Sequence, residues 1–229
     1  MITLHHLNNS RSQRVLWLLE ELGTPYQIEC HQRDATTQLA PASLKAVHPL
    51  GKSPVIVDSD HALTLAESGA IIEYLISRYG DYNWAVDESA AEYWQYRFWL
   101  HFSEGSVMPP LVMRLVMNRI KTAPMPFFVK PIARNIATKV LNNFVEPNIR
   151  SQLAFIEQHL QAHTWFCGAR ITGADIQMSF PLEAQVSNGL DANEFPAIHR
   201  FVHQCQARPA YQAALQKAPG YAYVCAPTP

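Results

Sequence analysis

Residues 2–30, ITLHHLNNSRSQRVLWLLEELGTPYQIEC, decide the fold. The first six put Ile2 and Leu4 on one face of a short strand. Val15, Leu18, Leu19 and Leu22 then recur at i, i+3, i+4 and i+7, an amphipathic helix closed by Gly23 and Pro25. Tyr26, Ile28 and Cys30 alternate with polar neighbours, which marks a second strand. A helix between two strands is a crossover, so the strands run parallel. The polar run Asn9-Ser10-Arg11-Ser12-Gln13 opens the helix. Such residues cap a helix, and the N–H groups they leave free can also hold an anion.

Outward from this unit, PVIVD (54–58) and HALTLA (61–66) are two short apolar runs joined at Asp58-Ser59-Asp60, a hairpin signal. Ile71, Ile72, Leu75, Ile76 and Tyr79 give the next helix, ended by Gly80. The order β-α-β, a connecting segment, then β-β-α is the layout of a thioredoxin-like fold. Beyond GDYNW (80–84) helical periodicity takes over, and no strand is predicted. Residues 90–111 read as a long aromatic-rich helix interrupted at Pro109-Pro110, and 130–162 as a second that Pro147 bends or restarts. Thr172 and Asp175 have capping-box spacing at the head of another helix, and the last helices divide near Pro209. The expected division is an α/β domain at 1–81, a linker at 82–88 and an all-α domain at 89–229.

The totals narrow the class. The chain has 229 residues, 48% hydrophobic and 16% charged, with a net charge of −1. Its mean hydropathy is −0.10. Such a balance argues against bulk attraction to nucleic acid or an anionic membrane. No apolar run reaches the ~18 residues of a membrane span, and the first residues lack the layout of a secretory signal. Cys30, Cys167, Cys205 and Cys225 are scattered and form no C-x-x-C, which suits reduced thiols in a cytoplasmic protein. The same absence at the first helix excludes the cysteine exchange of a thioredoxin or glutaredoxin there.

Two stretches could carry chemistry. A cis Ser53-Pro54 bond would present the backbone of Ser53 to a peptide lying alongside, whereas a trans proline would simply start a strand. Glu67 and Ser68 stand at a helix entry, where a hydroxyl and free N–H groups can bind a carboxylate and the glutamate an ammonium group. The same pair also fits an N-cap serine with an acid facing the helix dipole.

In their order and spacing, SRSQRVLWLLEELGTPYQI (10–28), HPLGKSPVIVD (48–58) and LAESGAIIEYL (65–75) resemble the N-terminal domain of a cytosolic glutathione transferase. FWLHFSEGSVMPPL (98–111) and FCGARITGADIQMSF (166–180) resemble its helical domain, nearest to the bacterial and fungal Gtt-type group. The resemblance implies glutathione as co-substrate, no resident cofactor, a homodimer, and attack of the glutathione thiolate on a hydrophobic electrophile, with peroxide or disulfide reduction as further options. It implies that Glu67 and Ser68 hold the γ-glutamyl end, that Ser53, before Pro54, pairs with the cysteinyl unit, and that Lys52 and His48 meet the glycine carboxylate. The thiol then faces the start of the first helix, with Ser10, Asn9 and Ser12, in that order, as candidate donors to the thiolate. A non-catalytic binding or scaffold protein on the same fold, and a glutathione-dependent reductase or isomerase, are the competing readings.

The electrophile needs an apolar wall, for which Tyr96, Trp99, Phe102 and Met108 are the candidates, with His101 or Glu104 as polar neighbours. Residues 105–145 hold six basic side chains and no acid, either a basic cleft wall or a solvated face, and PMPFFVKP (124–131) reads as a loop near the cleft. No metal centre is expected: His159/His163 and His199/His203 have helical i, i+4 spacing but no third ligand in sequence.

Overall fold

The computed structural model describes residues 1–34, 37, 39–80 and 84–225, so part of the expected linker (82 and 83) lies outside them. Strand β1 (Ile2–Leu7), helix α1 (Ser12–Leu22), β2 (Tyr26–His31), a short helix α2 (Ala42–Val47), β3 (Val55–Asp58), β4 (Leu63–Ala66) and α3 (Ser68–Tyr79) follow one another in the α/β part. The sheet order is β2-β1-β3-β4. β1 and β2 are parallel, whereas β3 runs antiparallel to both β1 and β4. This is the thioredoxin-like arrangement read from the sequence, with α2 occupying part of the connecting segment. Gly23 closes α1 in the left-handed region at φ +61°, where its N–H reaches the Glu20 carbonyl.

The rest is helical: α4 (Tyr93–Phe102), α5 (Met108–Thr122), α6 (Lys130–Val140), α7 (Glu146–Ala162), α8 (Gly173–Ser187), α9 (Pro196–Gln206) and α10 (Pro209–Lys217). The expected interruption at Pro109-Pro110 does not occur. A wide π turn, Ser103–Val107, joins α4 to α5 without a break, and a second, Leu141–Val145, joins α6 to α7 ahead of Pro147. Proline cannot donate to the carbonyl four residues back and crowds it. Those carbonyls, on Gly105, Ser106 and Asn143, all fall inside the π turns. The Gln152 side-chain amide donates to the Ser106 carbonyl at 3.0 Å, in place of the N–H that Pro110 lacks.

Thr172 and Asp175 form the predicted capping box at the head of α8, and the Asp175 carboxylate also accepts from the Phe166 N–H at 2.8 Å. Helix α1 departs from the one-sided pattern of its sequence. Ser12 to Leu19 are all buried, because α1 lies between the sheet on one side and α8 and α10 on the other. Trp17 meets Tyr211 of α10 edge-on, with ring centroids 5.3 Å apart. Among the described residues no helix is long and apolar enough to cross a membrane.

Candidate functional site at the edge of the sheet

Register builds the site. Val55 opens β3 opposite His5 on one side and Ala66 on the other. The loop after β1, the residues before β3 and the turn after β4 therefore share one end of the sheet. Asn9–Ser12, Ser53-Pro54 and Glu67–Ser68, far apart in sequence, are thereby brought together. The Ser53-Pro54 bond is cis, and the Ser53 hydroxyl donates to the His5 carbonyl at 3.1 Å. Glu67 is exposed and non-glycine, yet its backbone lies at φ +71°, ψ +114°. Such a conformation costs about 1–3 kcal/mol and concentrates at ligand sites.

The three candidate donors at the start of α1 differ in what their side chains already do. The Ser12 hydroxyl is fully buried and crowded: Leu7 N–H donates to it at 3.2 Å, and His6 Nδ1, Ser10 Oγ and the Leu7 carbonyl lie 2.9, 2.9 and 3.2 Å away. One hydroxyl proton and two lone pairs are spent on these partners. Burial pulls His6 down to about 4, so the imidazole in this network is neutral. Ser10 Oγ accepts from the Ser12 N–H at 3.2 Å. When Ser12 Oγ donates to it as well, Ser10 keeps its own proton for an outside acceptor. Asn9 sits at φ +50° and its side-chain oxygen accepts from the Ala222 N–H at 2.7 Å, so the C-terminal segment crosses beside the site.

Sequence reasoning passed over Arg14, a buried cation that joins the parts. Its guanidinium donates to Ser68 Oγ at 2.5 Å, to the Gln177 carbonyl of α8 at 2.5 Å, to Ser103 Oγ at 3.4 Å and to the Glu104 carboxylate. The Gln177 carbonyl is free because Pro181, four residues on, has no N–H to give it. Ser103 Oγ uses the same carbonyl at 2.8 Å. Ser68, 2% exposed, accepts from Arg14 and so turns its own O–H elsewhere. Arg11 joins the cluster through Nε, 2.8 Å from Glu104. Burial alone would raise the Glu104 carboxyl, but Arg14 and Arg11 hold it below the ordinary carboxylate range. A helical arginine is ordinarily a solvent residue; only the proline at i+4 from an acceptor in α8 hinted at a partner.

Residues 10–78 match the family pattern described as glutathione S-transferase, N-terminal domain, and residues 116–209 that of the glutathione S-transferase, C-terminal domain. The chain belongs to the glutathione S-transferase family. Glutathione S-transferase 3 of Schizosaccharomyces pombe is 36% identical over 217 residues, covering 95% of this chain and 88% of its relative. Glutathione S-transferase 1 of Saccharomyces cerevisiae is 33% identical, with 95% of each chain covered. The crystal structure of a glutathione S-transferase from Actinobacillus pleuropneumoniae superposes with a TM-score of 0.79 at 33% identity, covering 96% of this chain and 94% of that one.

Within this family frame the remaining expected residues divide. Lys52 is exposed and His48 half-buried, its Nδ1 accepting from Leu50 N–H at 3.3 Å. Tyr96 and Trp99, expected on the electrophile wall, are core residues at 4% and 1% exposure. Trp99 packs against Phe155 and His159 of α7 and Phe166 just beyond it, and α4 also lies against α8, so the side the sequence suggested for a pocket is covered. Phe102 is half-buried beside Trp99 and Phe155. Met108 forms a small cluster with Phe180 and Tyr221, against which Leu111 and Tyr223 are partly exposed. Tyr221 and Tyr223 flank Ala222, so the apolar surface next to Asn9 includes residues of the C-terminal segment.

Part of the basic stretch is tied down, Arg114 to Glu146 at 3.1 Å and Arg134 to the Lys121 carbonyl at 3.2 Å. The residues of PMPFFVKP connect α5 to α6, with Phe127 and Phe128 exposed. In the helical histidine pairs, His159 Nε2, His163 Nδ1 and His199 Nε2 face backbone carbonyls at 2.8–3.0 Å. The four cysteines are free thiols.

Proposed function

We propose that the protein is a glutathione transferase that binds the tripeptide across this end of the sheet and attacks hydrophobic electrophiles with its thiolate. The α/β residues, 1–81, would carry glutathione, and the helical residues, 89–229, the electrophile. The γ-glutamyl ammonium would meet Glu67, and its carboxylate the Ser68 hydroxyl and the first N–H groups of α3. The cysteinyl backbone would pair with Ser53, and the glycine carboxylate with Lys52 and His48. The observation carrying the reading is the register that gathers Ser10, Ser53 and Glu67–Ser68 at one end of the sheet. Ser12 is saturated, which leaves the Ser10 hydroxyl and the Asn9 side-chain N–H groups as thiolate donors, and Ser10 is the one put to the test. Leu111, Met108, Phe180 and Tyr223 would form the apolar wall.

A free thiol titrates near ~8.5, and each unit of lowering needs about 1.4 kcal/mol of preference for the thiolate. A hydroxyl donor and the first N–H groups of α1 can provide one or two such units. The test follows thiolate absorbance of bound glutathione against pH. In the native protein the thiol titrates well below its free value; in Ser10→Ala it climbs back by about one unit, with turnover of 1-chloro-2,4-dinitrobenzene falling in proportion. An unmoved titration in Ser10→Ala removes Ser10 from this role. Glutathione binding without reaction toward that acceptor or cumene hydroperoxide would leave a binding protein in place of an enzyme.

A further inference from the structure

Alternation along β1 turns Ile2, Leu4 and His6 toward α1 and leaves His5 on the other face of the sheet. The parallel register sets Glu29 directly beside His5, and His31 follows two residues on along β2, on the same face. His5 Nδ1 lies 3.1 Å from His31 Nε2 and 3.2 Å from Glu29 Oε2. All three atoms lie within 4.8 Å of one another. The second ring nitrogen of His31, Nδ1, is 3.0 Å from Ser43 Oγ on α2. With that N–H donated to Ser43, the Nε2 lone pair points at His5.

We propose that His5, Glu29 and His31 form a site for a divalent first-row transition ion, best matched by Zn2+. Two imidazole nitrogens and one carboxylate oxygen are an ordinary zinc donor set, with a fourth position left for water. With bonds of 2.0–2.1 Å, neighbouring ligand atoms of a tetrahedral site stand ~3.3 Å apart. The two separations from His5 are within 0.2 Å of that, and the third, between Glu29 and His31, is under 4.8 Å and closes by side-chain rotation of the exposed Glu29. Ser43 supplies the outer hydrogen bond that fixes a ligating histidine's tautomer and ring plane. Glu29 and His31 lie on the edge strand with Glu29 open to solvent, which gives the ion a way in. The occupied site would pin β2 to β1 and, through Ser43, hold α2.

The experiment uses untagged full-length protein, stripped with a chelator and titrated calorimetrically with Zn2+, with Co2+ absorption reporting ligand number. The expected result is one ion per chain with a micromolar or tighter Kd, four-coordinate Co2+ bands and a higher melting temperature. Glu29→Gln and His31→Gln should each weaken binding at least about tenfold, while His199→Gln/His203→Gln leaves it unchanged. Glu29 is a surface side chain, so its variant keeps the test decisive should His31→Gln fold poorly. No stoichiometric binding below ~100 µM, binding that survives both edge-strand substitutions, or binding lost with the His199/His203 pair would each overturn the site.

Discussion

At the scale of single residues, Arg14 is the side chain on which most depends. One guanidinium serves acceptors on α3, on the π turn after α4 and on α8. Removing it leaves the buried Ser68 hydroxyl without its donor, the Gln177 carbonyl with Ser103 alone and the Glu104 carboxylate with Arg11 alone. Arg14→Met is expected to cost about 3–5 kcal/mol, a fall in melting temperature on the order of 10 °C for a chain of this length. Arg14→Lys should recover less than half, because an ammonium point charge cannot span four acceptors. Melting curves of the two variants decide this, and a lysine variant as stable as the native protein would show that the fork geometry is unimportant. Nothing in VLWLLEEL marks its neighbour Arg14 as buried. The apolar period was legible, but the second covered face of α1 depends on helices nearly two hundred residues later.

At the scale of elements, α8 concentrates buried polar groups. Glu183, 1% exposed, accepts from Tyr221 at 2.6 Å through one oxygen while the other has no partner among the described residues. Burial pushes its carboxyl up to about 7, against the pull of Tyr221, Tyr211 and Arg14. Unfolded, a glutamate titrates near ~4.3. Between these values the folded chain binds more protons, so this group's stabilising contribution is complete at low pH and is lost as pH rises through 7. Glu183→Gln stays neutral throughout. It should match the native protein only below about pH 4, under the unfolded value, and exceed it by about 3 kcal/mol at pH 8, visible as a melting difference that opens with pH. A constant difference would mean the carboxyl titrates in the fold as it does unfolded. The elements themselves were readable to different degrees. Strands and the capping box announced themselves by alternation and spacing, whereas α2 is too short for a periodic signal. Proline arithmetic misjudged α4–α5, because Gln152 and a π turn relieve what the local sequence could not.

At the scale of the whole molecule, the two parts share one interior. Leu16, Trp17, Leu18 and Leu19 are fully buried, and the covering comes partly from α8 and α10. Ion pairs from Arg208 to Glu21 and Lys217 to Glu20 fasten the same helix from outside. A fragment of residues 1–88 would expose this face, so it is expected to lack a cooperative denaturant transition and glutathione affinity, while the full chain unfolds in one step. A fragment that unfolds cooperatively and binds glutathione would show that the α/β part stands alone. The sequence linked Ser10, Ser53 and Glu67–Ser68 only through the family resemblance, because the sheet order that brings them to one end is not written in any of the three stretches. The electrophile wall was not legible, because an aromatic stripe on one helix looks the same whether its partner is solvent or other helices.

The two π turns have a consequence for genes as well as for geometry. A π turn is an α-helix that has absorbed one residue beyond its regular count. Sequences that differ by a single codon at 103–107 or 141–145 can therefore keep superposable helices on either side. A one-residue alignment gap at either place is the footprint of that wide turn, with the helices before and after it still in phase.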